Sequence, residues 1–197
     1  MTKEKGFGPY WAAIACGGGF LAGALGGGVL AGLMGEEGRA AFSEFFLGYR
    51  SALAAGMGLP SLGALVWNCV KWPLLAFLLG FGSLGVALEP FLFALRGFFL
   101  SYCIAGLVRA MAGQGALLAL ALFGAEAAFA LPVFFVLGTQ GWAAARTLRG
   151  HLFYSPRLKS PYVDGYWARS IFCGIVLILG ALVEYAALPP LLKSLAG

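Results

Sequence analysis

The sequence has few charged residues, a single histidine and no closely spaced cysteines. Of its 197 residues, 11% are charged and 61% are hydrophobic, whereas a soluble domain carries about 25% charge. So little charge excludes a water-soluble enzyme and a disordered chain. Several charge-free stretches approach the roughly 20 apolar residues that cross a bilayer core, which excludes a single-span anchor as well. The composition therefore predicts an all-α integral membrane protein with several transmembrane helices.

Metal, cofactor and catalytic sites lack the residue patterns that they need. His151 is the one histidine, and the cysteines at 16, 69, 103 and 173 are separated by 34 residues or more. Metal-binding or redox cysteines usually occur as closely spaced pairs. The sequence contains no nucleophile–base arrangement and no phosphate-binding loop. We therefore predict no enzymatic activity, no catalytic residue, no bound metal and no cofactor.

Five apolar runs predict a bundle of five transmembrane helices in one domain, residues 1–197. The run between residues 59 and 111 must hold two of them. Glu89-Pro90 is the expected break, because proline has no N–H and disfavours helix in the residue before it. Pro132 lies inside the fourth span, where we expect a kink. The predicted spans are residues 11–34, 67–88, 91–108, 116–143 and 170–188.

A polar–apolar segment, residues 36–58, follows the first span and is expected to lie outside the cell. Phe42, Phe45, Phe46 and Tyr49 recur in it at spacings of three and four residues, which predicts an amphipathic helix. Such a helix lies along the membrane surface or packs on the bundle, and the pattern leaves both alternatives open. The four aromatic side chains are candidate partner-binding residues.

Residues 146–169 form a predicted cytoplasmic loop that is rich in basic and aromatic residues. Its five cations stand against one acid, Asp164. Basic and aromatic residues beside a membrane indicate contact with anionic lipid rather than with nucleic acid. With the N-terminus inside, the inner side receives eight Lys and Arg residues and the outer side five. The positive-inside rule therefore predicts a cytoplasmic N-terminus and an external C-terminus.

Glycine is abundant, at 31 residues, and three glycines of the first span are regularly spaced. Gly19, Gly23 and Gly27 lie four residues apart, the spacing that lets two helix backbones approach closely in a membrane. We expect this ridge to pack within the chain, with a partner's helix as the alternative occupant that would make the glycines partner-binding residues. Gly80 and Gly97 are expected to be further close-contact sites.

Three polar residues, Glu126, Arg96 and Asn68, lie within or beside predicted spans. A charge within hydrocarbon is costly and commonly functional. One interpretation is a structural pair or hydrogen bond, with Asn68 at a helix end. The other is a polar path through the bundle of a small permease or transporter subunit.

The central motifs resemble the stage II sporulation protein M family of polytopic membrane proteins. The resemblance covers roughly residues 60–145 and follows the order and spacing of several short, glycine-punctuated segments. These segments are residues 66–72 (VWNCVKW), residues 78–85 (LLGFGSLG), residues 95–102 (LRGFFLSY), the glycine turn at 113–115, and Leu131-Pro132.

The resemblance implies a non-enzymatic scaffold in the cell membrane of an endospore-forming bacterium, at the sporulation septum. Proteins of this family recruit two peptidoglycan-degrading enzymes, an amidase-endopeptidase and a lytic transglycosylase, and so take part in septal wall remodelling during engulfment. We therefore predict a membrane scaffold, with the small permease or transporter subunit as the alternative function. The oligomeric state is left open, and an oligomer is compatible with the sequence.

Overall fold

The computed structural model consists of helices joined by short connections. It describes residues 8–54, 61–153, 162 and 164–196, with the side chains of 10–49, 51–52, 61–111, 115–120, 122–124, 126–150, 162 and 165–186. No strand occurs in these ranges. The helices are α1 (Gly8–Gly32), α2 (Glu36–Ala54), α3 (Leu62–Leu79), α4 (Gly85–Phe153) and α5 (Asp164–Ala196).

The longest helix, α4, folds back on itself as a hairpin. Straight, its 69 residues would extend about 100 Å. Instead Phe93 stacks on Phe134 with ring centroids 4.1 Å apart. At the turn, a methyl group on Gly115 would lie 2.9 Å from Cα of Val108, so this close return requires glycine. The two limbs of α4 are therefore antiparallel neighbours.

Five helical segments are long and apolar enough to cross a membrane, which confirms the predicted all-α bundle with a short additional helix. Six of their ten bounds differ from the predicted ones by five residues or more. The second span begins at Leu62 rather than at 67, where the Ser61 hydroxyl accepts a hydrogen bond from the Ala64 N–H and caps α3. The segments are Tyr10–Gly32, Leu62–Leu79, Gly85–Met111, Glu126–Gly150 and Gly165–Ala186.

The predicted helix break at Glu89-Pro90 is wrong. α3 ends at Leu79, a connection occupies residues 80–84, and Pro90 lies within α4. A proline inside a helix leaves the carbonyl four residues earlier without its donor, and that carbonyl here belongs to Val86. The indole N–H of Trp142 donates to it at 3.0 Å. Because the opposite limb supplies this donor, the helix continues through the proline.

The predicted loop at 146–169 is shorter than expected. α4 continues to Phe153 and α5 begins at Asp164, so both ends of the segment are helical. Arg157 and Lys159 lie outside the described residues. At Tyr162, burial raises the pKa of the hydroxyl, which donates a hydrogen bond to the Gly80 carbonyl at 3.0 Å. This bond joins the segment to the connection after α3.

Contacts at the two ends of the bundle show which connections lie together. At one end, the Arg109 guanidinium donates to the carbonyl of Gly32 at 3.1 Å, so α1 ends beside the turn of the α4 hairpin. At the other end lie Gly80 and Tyr162. Five spans place the start of α1 and the end of α5 at opposite ends of the bundle. The cytoplasmic orientation of the N-terminus stays a prediction.

Candidate functional site

The four aromatic residues of α2 form a stripe that the rest of the bundle half covers. The stripe consists of Phe42, Phe45, Phe46 and Tyr49. Phe42 packs on Tyr102 at a ring-centroid distance of 6.2 Å and on Phe46 at 4.9 Å, and both phenylalanines pack against the cluster around Leu107. Phe45 is 68% exposed and Tyr49 is 40% exposed. The sequence left open whether this helix lies along the membrane surface or packs on the bundle. The edge that carries Phe42 and Phe46 packs on the bundle.

Tyr49, on the surface of α2, also lies close to Glu184 of α5. Burial, together with the nearby Glu184 carboxylate, raises the pKa of its hydroxyl. Phe45 and Tyr49 together form an exposed aromatic patch, which we call the α2 patch.

The glycine ridge of α1 packs against the first limb of α4. A methyl group on Gly23 would lie 2.6 Å from the carbonyl carbon of Ala94, and Gly19 and Gly27 face the backbones of Pro90 and Phe98 in the same way. The ridge is therefore an intramolecular seam, and the hypothesis that these glycines bind a partner's helix is wrong. Two further expected close-contact glycines are confirmed, Gly80 against Gly141 and Gly97 against Phe20 and Ala24.

Arg96 and Glu126 form an ion pair between the two limbs of α4. Arg96 Nη2 lies 2.6 Å from Glu126 Oε1, and the two side chains are 10% and 15% exposed. The guanidinium also lies 5.5 Å from the ring centroid of Trp72 on α3, within the range of a cation–π contact. The sequence named both residues as intramembrane polar groups, and the structure brings them together.

Two further polar contacts involve residues of α3. Asn68 is exposed and accepts a hydrogen bond from Lys71 Nζ at 2.9 Å. Because both residues lie inside α3, the prediction that Asn68 forms a hydrogen bond at a helix end is wrong. Lys71 is the tenth of the 18 residues of α3, whereas the predicted span placed it near one end. Cys69 Sγ lies 3.6 Å from Glu184 Oε2 in a buried contact with α5.

Glu89 is a buried carboxyl that sequence reasoning assigned to a helix break. Its exposure is 0%, and its two oxygens have no hydrogen-bond partner among the described residues. The carboxyl lies directly against the backbone of the opposite limb, since a methyl group on Gly141 would be 2.7 Å from Oε1. An isolated charge in such surroundings would be very costly. No sequence pattern distinguished it from a helix-terminal glutamate.

Both limbs of α4 thus carry ionisable groups inside the bundle. Glu89 and Arg96 lie on the first limb and Glu126 lies on the second. Within the described residues, no three His, Cys, Asp or Glu side chains are grouped so that they would hold a metal ion. The arrangement can hold a proton at Glu89 and a fixed charge pair at Arg96 and Glu126. Comparisons with family models, with curated proteins and with solved structures gave no match to this chain. The family resemblance therefore rests on the sequence motifs alone.

Proposed function

We propose that this protein is a membrane scaffold that binds partner proteins through the α2 patch. The supporting observation is that the aromatic stripe of α2 has a packed edge and an exposed edge. Phe42 and Phe46 hold the helix on the bundle, while Phe45 and Tyr49 remain exposed beside them. Large aromatic side chains on a rigid support are the residues that most often dominate the binding energy of an interface.

The resemblance to the stage II sporulation protein M family supplies the identity of the partners in this proposal. They are the septal peptidoglycan-degrading enzymes, an amidase-endopeptidase and a lytic transglycosylase, and the site of action is the sporulation septum. The cell wall lies outside the membrane, so the proposal requires α2 on the external face. The predicted cytoplasmic N-terminus gives that placement.

Replacing Phe45 by alanine is expected to weaken partner binding without unfolding the bundle. Truncating a central interface aromatic costs about 2 kcal/mol or more, about a 30-fold loss of affinity. The measurement is co-purification of the two wall enzymes with the full-length protein, followed by titration of the purified components. Thermal unfolding of the variant should match that of the wild type.

Leu47→Ala is the matched control. Leu47 is also an exposed apolar residue of α2, at 41% exposure, but it lies about 160–200° around the helix from Phe45 and Tyr49. It should retain partner binding. Equal binding by the wild type and the Phe45→Ala variant would contradict the proposed patch, and so would an equal loss with Leu47→Ala.

A small proton-coupled permease is the second candidate, and Glu89 is the observation that favours it. A transport path needs ionisable groups within the bundle, and the sequence alone offered chiefly Glu126 and Arg96. The structure adds a buried Glu89, whose carboxyl has no hydrogen-bond partner among the described residues, and a buried Glu184. Carboxyl groups inside spans are typical of proton relays.

Proton flux into liposomes tests this candidate directly. Vesicles containing the full chain and a trapped pH-sensitive dye should respond to an imposed pH gradient faster than protein-free vesicles. Glu89→Gln removes the titratable proton and should reduce the flux at least tenfold, while Glu44→Gln, at an exposed position of α2, should not change it. Flux no faster than that of empty vesicles would exclude the candidate.

A further inference from the structure

A groove between the second limb of α4 and the first half of α5 opens on the outer surface of the bundle. Its volume is about 420 Å³, and its walls include Val133, Val136, Cys173 and Val176. Val136 is 43% exposed, and the groove lies within the segments that span the membrane. We propose that it binds one acyl chain of an anionic phospholipid whose phosphate contacts Arg169.

The groove exists because small side chains meet along this seam. Valine, alanine and cysteine leave space between the two helices, while the larger Phe172 is 66% exposed and lines the groove as well. From Arg169 to Val176 the lining follows α5 for seven residues, about 10 Å at 1.5 Å per residue. That length accommodates the first part of an acyl chain.

Arg169 gives the groove a charged end. It lines the groove, it is the sixth residue of α5 and it is exposed. Among the described residues it forms no ion pair. Arg146 and Arg149 belong to the same end of the bundle, so the surrounding potential is also positive. A phosphate group at the head of the groove would therefore meet a complementary charge.

The apolar walls by themselves select no particular lipid. A chain that moves from bilayer to groove exchanges one apolar environment for another, so the hydrophobic effect contributes little. Selectivity must come from the headgroup, and the cation at the groove end favours an anionic one. A partner helix fits less well, because a helix is about 10–12 Å wide and the groove is a short recess between only two helices.

Native mass spectrometry of the detergent-purified full chain tests the proposal. The probes are dioleoyl phosphatidylglycerol and dioleoyl phosphatidylcholine, which share their acyl chains and differ in headgroup charge. We expect about fivefold tighter binding of the anionic lipid, the factor expected for one juxtamembrane cation. Arg169→Gln should remove this preference, and Val136→Trp should reduce binding of both lipids by filling the groove.

Two control variants separate the groove from general effects. Arg149→Gln removes one charge from the same end without altering the groove, and Ile175→Trp adds the same bulk at an exposed position of α5 outside the lining. Both should bind lipid as the wild type does. Equal binding of the two lipids by the wild type, or equal effects of the two arginine variants, would overturn the proposal. A wild-type dimer that Val136→Trp dissociates would overturn it too, by placing a second copy of the chain in the groove.

Discussion

Gly23→Ala is expected to separate α1 from the first limb of α4 and to lower the stability of the bundle. The added methyl group would lie 2.6 Å from the carbonyl carbon and 2.8 Å from Cα of Ala94. These are backbone atoms, so the conflict is relieved only by moving one helix. Overpacking of this kind costs about 1–3 kcal/mol, and we expect the upper part of that range. Unfolding of the purified protein in mixed detergent micelles measures the loss.

Gly18→Ala is the control on the same helix. Among the described residues, no atom lies within 4 Å of a methyl group there, and alanine is a better helix former than glycine by about 1 kcal/mol. This variant should be as stable as the wild type or slightly more stable. If the two alanine variants unfold alike, the glycine ridge is not the close-packed seam described above.

The second large effect is expected at the Arg96–Glu126 pair. Arg96→Met should destabilise the protein by about 3–5 kcal/mol, because it leaves the Glu126 charge in the bundle without its partner. Glu126→Gln should also destabilise it, although the Trp72 ring continues to face the guanidinium. In the double variant no uncompensated charge remains, so most of the lost stability should return. The same unfolding titration, arranged as a double-mutant cycle, measures the coupling.

Additive losses in the cycle would show that the two side chains do not act as a pair. The double variant also bears on function, since it restores a folded bundle without the charges. A scaffold that binds through the α2 patch should still bind its partners with this variant. A permease that uses the pair in its path should lose transport in it.

The aromatic residues of α2 show how much of the candidate site could be predicted from the sequence. Their spacing predicted an amphipathic helix, and the helix is present at Glu36–Ala54. Periodicity identifies which residues share a face, but it carries no information on what covers that face. The packing of Phe42 on Tyr102 and the exposure of Phe45 were decided by where the α4 hairpin lies.

Glu89 is a residue whose position in the fold could not be predicted from its sequence neighbours. Proline chemistry favoured a break, and the break lies instead at the glycine-containing residues 80–84. The helix tolerates Pro90 because Trp142, 52 residues later in the chain, donates to the carbonyl that the proline leaves open. No local pattern encodes that donor, so the burial of Glu89 could not be read from its neighbours in sequence.

The scarcity of charge and the length of the apolar runs determined the fold class, because a bilayer accepts only long apolar helices whose backbone groups are paired internally. The glycine spacing determined that α1 has a close-packing face. Only the tertiary structure decided what that face meets, which carboxyls are paired and where a groove stays open. These features depend on residues far apart in the chain, such as Arg96 with Glu126 and Val133 with Val176. Their proximity follows from how the helices pack, which no local spacing specifies.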